Sequence, residues 1–276
     1  MIDSAGGFGH HDHACWPFDE PSEFVAAAVE FLADGLDGGQ RLIYVNEGTP
    51  EQLRHDLADL GGVSELERTG ALALCPVEAF CDPSAGVVSA QQLAFWDALV
   101  ARAHAEGFTG VRFAAQVTCL AAPPLSWLTH VRWEQLADSY IDMRPLSALC
   151  GSQRDAVGEA ALQALSAVHP LRAGDASPFG VFVLHGDLWI EGELDALQMD
   201  LAADLLASVP VDGDDVVVNV SRLEFADGAA TAELARFARR LGQEGRRVVL
   251  RDASPMLRRV WDLLGFSAIA PVDFAA

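Results

Sequence analysis

The feature that constrains this chain most is a regular alternation of short apolar runs with helix-length amphipathic stretches. LIYV at 42–45, ALALC at 71–75, 111–115 and LSALC at 146–150 have the length of strands, and each is separated from the next by enough chain for a helix. Runs that are apolar on both sides belong in a sheet covered on both faces. Crossovers of this length make such strands parallel. The first helix is marked by Asp19-Glu20-Pro21-Ser22, then Phe24, Val25, Val29, Leu32 and Leu36 at helical spacing, and a stop at Gly38-Gly39. Further helices are expected near 50–60, 89–105, 126–140 and 158–168.

The pattern breaks at 171–178, where Gly, Ser and Pro gather with little apolar content, the mark of a linker. Beyond it, 179–186 and 187–192 predict two strands around a tight turn at Gly186-Asp187. A helix near 196–207, a strand at 216–220, a helix at 228–242 and a strand at 246–250 follow. Ser254-Pro255 opens the last helix, with Leu257, Val260, Trp261 and Leu264 as its stripe. The order is ββαβαβα plus a closing strand. The expected fold class is α/β throughout: a mostly parallel three-layer domain over 1–170, a linker over 171–178, and a second α/β domain over 179–276.

Composition then narrows the chemistry. There is no lysine, and all 18 cations are arginines set against 40 acidic residues, for a formal charge of −22. A phosphate-binding P-loop and a lysine Schiff base are both excluded. So acidic a surface repels phosphate backbones, so neither nucleic acid nor an anionic membrane is expected as a partner. Arginines from Arg236 to Arg259 are dense enough to offset local acid, and a solvated helix face is the default reading of them. Cys15, Cys75, Cys81, Cys119 and Cys150 are odd in number and never spaced as C-x-x-C, so reduced thiols and a cytoplasmic location are expected. No apolar stretch approaches the length of a membrane span.

The second half resembles the STAS family, the anti-sigma-factor antagonist and sulphate-transporter fold. The residues that carry the likeness are GELD at 192–195, VVVNVSRLEFADGAATAEL at 216–234 and RRVVLRDASPMLRRVWDLLGF at 246–266. The resemblance implies docking on an anti-sigma factor or serine kinase partner, through a loop that usually reads Asp-Ser-Ser-Gly and is phosphorylated on its first serine. Here the loop reads Asp227-Gly228-Ala229-Ala230, so the acceptor position holds a residue that cannot be phosphorylated. Asn219 stands where the family commonly has Asp. Ser221 and Thr231 are the substitute acceptors, and the partner surface is expected to comprise Asn219, Ser221, Asp227, Gly228 and Thr231. Close helix–sheet packing is the plainer account of the small residues at 228–231. A homodimer through this half is a further reading.

The first half resembles the MEDS sensory domain, a ligand-sensing module similar to the RecA/KaiC ATPase core but without its P-loop. The matching residues are His13-Ala14-Cys15-Trp16-Pro17-Phe18, 31–45, RWEQLAD at 132–138, and 146–170 with Cys150 and His169-Pro170. The resemblance implies a RecA-like sheet that senses a small molecule and does not hydrolyse ATP. His10, His11, His13 and Cys15 form the densest run of soft ligands, and His11, His13 and Cys15 share a face if the segment is extended. A pocket for a small, partly apolar effector is expected from His13, Cys15, Phe18, Trp133, Cys150 and His169, at the carboxyl ends of the strands. Imidazole and sulfur would also suit zinc, copper or haem iron, and Cys15 a redox-sensing thiol. No tight zinc-type spacing is present, so neither metal nor cofactor is assigned. Glu134 and Asp138 are an i, i+4 pair, which 40 carboxylates make common by chance. The expected function is non-enzymatic signalling, with a metal-, haem- or thiol-dependent redox sensor or enzyme centred on His13 and Cys15 as the alternative.

Overall fold

The apolar runs become parallel strands. The computed structural model describes residues 2–79, 89–122, 126–174, 177–211 and 213–276; Cys81 lies outside them. The chain divides into two compact units, Met1–Ala176 and Ser177–Ala276.

In the first unit the elements run β1 His13–Phe18, α1 Pro21–Asp37, β2 Arg41–Asn46, α2 Pro50–Asp56, α3 Val63–Thr69, β3 Leu72–Pro76, α4 Ser89–Ala105, β4 Val111–Gln116, α5 Thr118–Ala121, α6 Trp127–Asp142, β5 Leu146–Gln153, α7 Arg154–Val157, α8 Glu159–Ala167 and β6 Leu171–Arg172. The strand order is β3-β2-β4-β5-β1-β6, and every pairing among the described residues is parallel. The helix expected at 50–60 ends at Asp56, with a 3-10 turn at Ala58–Leu60 before Gly61-Gly62 restarts the chain as α3. Leu171-Arg172 pairs with β1, so this part of the low-apolar stretch extends the first sheet.

Because side chains alternate along a strand, the two faces of the sheet have separate cores. Ala14, Phe18, Tyr44, Ala114 and Leu149 pack under Phe24, Phe31 and Leu32 of α1. Ile43, Val45, Phe113, Ala115, Ala148 and Cys150 face α4 and α6. One position shows why the fit is close: a Cβ at Gly151 would stand 2.4 Å from the buried Phe24 ring. That ring stacks between Phe18 and Tyr44, so it has no room to retreat. Arg112 is buried on the α1 side. Its guanidinium donates to Gln40 Oε1 (2.8 Å) and to the carbonyls of Phe31 (3.0 Å) and Phe8, which pins the N-terminal arm to the sheet.

In the second unit β7 Phe179–Leu184 and β8 Asp187–Leu194 form the antiparallel hairpin, followed by α9 Met199–Ser208, β9 Asp215–Asn219, β10 Leu223–Ala226, α10 Gly228–Gln243, β11 Arg247–Arg251, α11 Pro255–Leu263 and β12 Asp273–Ala275. The order is β10-β8-β9-β11-β12, with β7 beside β8. The hairpin turns at His185-Gly186, one residue earlier than the sequence suggests. Both residues have positive φ (55° and 78°), as a two-residue turn matched to strand twist requires. The strand β10 was not expected. Its four residues, Leu-Glu-Phe-Ala, are intermediate or exposed, so no apolar run announces them.

Candidate functional site

One face of α6 carries His130, Glu134 and Asp138 at i, i+4 and i+8, and all three are buried. They face the sheet where β1 and β5 are neighbours, with His13 in register with Ala148 and Cys15 with Cys150. His169, just after α8, closes the group, its ring centroid 4.1 Å from that of His13. His13 Nδ1 lies 3.2 Å from Asp138 Oδ1, and its Nε2 lies 3.3 Å from Glu134 Oε2 and 3.5 Å from Cys150 Sγ. Glu134 Oε1 is 2.9 Å from His130 Nε2, and Oε2 is 3.7 Å from His169 Nε2. His169 Nδ1 donates to the Leu165 carbonyl at 2.7 Å.

Three imidazoles around one carboxylate govern the electrostatics. Burial alone would raise Glu134, but His130, His13 and His169 outweigh it and hold the carboxyl well below its usual range. Burial alone would lower His13, and the hydrogen bonds to Asp138, Cys150 and Glu134 hold it well above its ordinary value. Burial, helped by His13, pushes His169 down to about 3, so it is neutral and its Nε2 carries a lone pair. Burial and the Glu134 charge push the Cys150 thiol up to about 11.

Beside this cluster lies a cavity of about 100 Å³. Its walls are mainly apolar, among them Val45, Val77, Phe113, Ala115, Ala148 and Trp133, and its polar end is His13, His130, Glu134 and Cys150. A second cavity of about 520 Å³ opens at the carboxyl ends of β1, β2, β4 and β5, where Phe18, Asn46, Gln116 and Gln153 meet Glu47 and Asp56. The ligand position typical of parallel sheets thus carries two carboxylates and one imidazole, His55, and no Arg among the described residues, which disfavours a triphosphate.

In the second unit, Asp227 caps α10. Its side chain accepts from Ala230 N at 2.8 Å and from Ala196 N at 3.0 Å, tying the 195–197 turn to the helix start. Thr231 is fully buried and donates to the Asp227 carbonyl at 2.8 Å, so it is no exposed phosphoacceptor. Ser221 is exposed, and its hydroxyl donates to Asn219 Oδ1 at 2.7 Å. A Cβ at Gly228 would meet nothing within 4 Å. Close packing therefore accounts for Ala230 and Thr231, both buried, but not for Gly228 or the exposed Ala229.

A family model described as MEDS, the MEthanogen/methylotroph, DcmR Sensory domain, matches residues 12–170. The chain belongs to the MEDS family. A second model, described as Mlab, STAS domain, matches residues 185–271, in the order the sequence suggests. No curated protein matches the chain. Among solved structures it is similar to the flagellar accessory protein FlaH from Methanocaldococcus jannaschii, at 13% identity and a TM-score of 0.42, over 66% of this chain and 76% of that one. The two domains are of sensory and regulatory types. Among the described residues no helix is long and apolar enough to cross a membrane.

Of the MEDS residues singled out from sequence, His13, Cys150 and His169 converge, and Trp133 joins His13 and Cys150 in lining the small cavity. Phe18 falls on the opposite face: it is five residues from His13 along a strand of period two, and it lines the acidic cavity. Cys15 shares the face of His13, but its thiol sits 3.8 Å from Ser166 Oγ, outside the cavity lining. His10 and His11 do not join. His11 lies before β1 with φ 75° and donates from Nδ1 to the Ile141 carbonyl, while His10 Nδ1 lies 3.1 Å from Gln40. The contributors that sequence reading passed over are His130, Glu134 and Asp138. Their signal is a polar stripe at every fourth residue on a helix face that must be buried.

The burial of the cysteines bears on the redox reading. Burial pushes the Cys15 thiol up to about 12, the opposite of a reactive sensor. Cys119 is disulfide-bonded, which corrects the expectation of reduced thiols at that position. In the native protein, iodoacetamide should label the half-buried Cys75 before Cys15 or Cys150. Three pKa units leave Cys15 about a thousandfold less thiolate at neutral pH than an ordinary thiol. Labelling followed by peptide mass spectrometry reads this directly. Cys15 reacting as fast as Cys75 would restore it as a sensor.

Proposed function

We propose that this chain is a non-enzymatic signalling regulator. Its MEDS domain takes up a small, largely apolar effector, and its STAS domain docks on an anti-sigma factor or serine kinase. The reading is carried by the small cavity: an apolar enclosure with a few convergent polar groups at one end is the usual form of a small-molecule site. The acidic lining at the strand ends supports sensing over ATP chemistry. On the STAS side, the start of α10 is exposed at Gly228 and Ala229; Phe225 (51% exposed) lies just before its cap Asp227, and Leu197 (88%) follows Ala196, which donates to that cap, so this end offers apolar area to a partner. Gly228 removes the phosphorylation that would switch that contact.

Effector uptake and partner affinity are coupled only if the effector binds two states of the chain unequally. A panel of small neutral organics, including benzene, short alcohols and thioethers, titrated into the full chain should give saturable binding. Ala148→Leu, which fills the cavity, should abolish it. With a bound effector, affinity for candidate anti-sigma kinases should change by about 5- to 150-fold. Unchanged partner affinity at saturating effector would overturn the coupling.

A further inference from the structure

We infer that His13, Glu134, Cys150 and His169 form a tetrahedral site for a transition-metal cation of the zinc class. One donor atom from each lies within 4.8 Å of all the others, and all four residues are buried. A tetrahedron with bonds near 2.0–2.3 Å has edges of about 3.3–3.8 Å. The measured edges are 3.3 Å (His13 Nε2 to Glu134 Oε2), 3.5 Å (His13 Nε2 to Cys150 Sγ), 3.7 Å (His169 Nε2 to Glu134 Oε2) and 4.0 Å (Cys150 Sγ to Glu134 Oε2). The two remaining edges, from His169 to His13 and to Cys150, lie within 4.8 Å, so the donors draw together by no more than about 1 Å on binding.

The outer contacts point the same way. Metal-bound imidazoles characteristically donate their other N–H to a carboxylate or a backbone carbonyl. His13 has Asp138 at its Nδ1, and His169 donates from Nδ1 to Leu165. Glu134 has His130 at its second oxygen. The Leu165 bond leaves His169 Nε2 buried, aimed into the cluster and without a hydrogen-bond partner among the described residues. An imidazole nitrogen facing a carboxylate across 3.7 Å with no bond between them is what a shared cation resolves. Binding displaces two protons to solvent, one from the Cys150 thiol and one from His13 Nε2, while Nδ1 keeps its proton toward Asp138; the thiolate and the Glu134 carboxylate together then balance a dication. Two nitrogens, one oxygen and one sulfur suit zinc, with cobalt(II) as its spectroscopic substitute.

The inference goes beyond effector uptake and does not depend on it, because metal is titrated with no effector present. The chelator-stripped chain should take up one cobalt(II) equivalent, with tetrahedral d–d bands and a thiolate-to-cobalt charge-transfer band. Cys150→Ser should remove the charge-transfer band, and His169→Ala should weaken binding at least 100-fold. Asp138→Asn, a positioning change, should weaken it about 10- to 100-fold while one equivalent still binds. His11→Ala should leave binding intact. X-ray absorption of zinc-loaded wild type needs no variant to fold, and should give one sulfur near 2.3 Å and three nitrogen or oxygen neighbours near 2.0–2.1 Å. Absence of saturable binding, a first shell without sulfur, or full affinity in His169→Ala would each overturn the site.

Discussion

Replacing Glu134 by alanine is expected to destabilise the N-terminal unit by about 3–5 kcal/mol, the range for removing one partner from a buried charge group. The carboxylate is the shared partner of His13, His130 and His169, and all four side chains are essentially excluded from solvent. Without it, His13 keeps Asp138 but its Nε2 faces only the Cys150 thiol. His130 loses the carboxylate oxygen that lies 2.9 Å from its Nε2, and neither of its ring nitrogens then has a hydrogen-bond partner among the described residues. The side chain also leaves a void between α6 and the sheet, which adds a packing cost.

The measurement is hydrogen exchange on the full chain in chelator. Peptides from β1, β5 and α6 should lose protection, while those from β9 and β11 keep theirs. Glu134→Gln separates charge from shape. It preserves volume and one acceptor oxygen, and should cost clearly less than alanine if packing contributes, but more than a surface substitution because the charge is lost. A cost below about 1 kcal/mol for Glu134→Ala would mean that the cluster is not an electrostatic unit. Ion pairs at this burial are seldom so weak when broken.

How much of this was legible from sequence depends on whether a feature repeats locally. Parallel strands announced themselves because each is apolar on both sides, and the helix starts because Pro21 and Ser254-Pro255 carry their own chemistry. The strand β10 did not, since its side chains are intermediate or exposed. The site was half legible. His13, Cys150 and His169 stand out as types that rarely lie together without reason. Glu134 and Asp138 were visible as an i, i+4 pair, yet among 40 carboxylates such a pair carries little information until the helix face is known to be buried. The register that sets Cys150 beside Cys15 and His13 beside Ala148 is long-range, and no local pattern states it. Phe18 shows the converse: strand parity alone separates it from His13, a deduction available once the segment is read as extended.

In the STAS domain the largest single effect is expected at Trp261, where alanine should cost about 3–5 kcal/mol. The indole is fully buried and meets Phe266 edge-on at 5.6 Å and Phe274 edge-on at 6.1 Å, so it joins α11 to the C-terminal segment that ends in β12. Among the described residues that strand pairs with β11 alone, through Val249 to Arg251, at the edge of the sheet. Loss of the indole should therefore expose β12 and the edge of β11 to exchange before β9. Trp261→Phe makes the sharper test. The indole N–H is buried with no hydrogen-bond partner among the described residues, a burden of about 1–3 kcal/mol that phenylalanine does not carry. Relief of that burden should offset much of the smaller ring's lost packing, so the phenylalanine variant should stay within about 2 kcal/mol of wild type in urea. If phenylalanine costs as much as alanine, the retained ring volume recovers nothing, and the indole N–H has found a water or another acceptor.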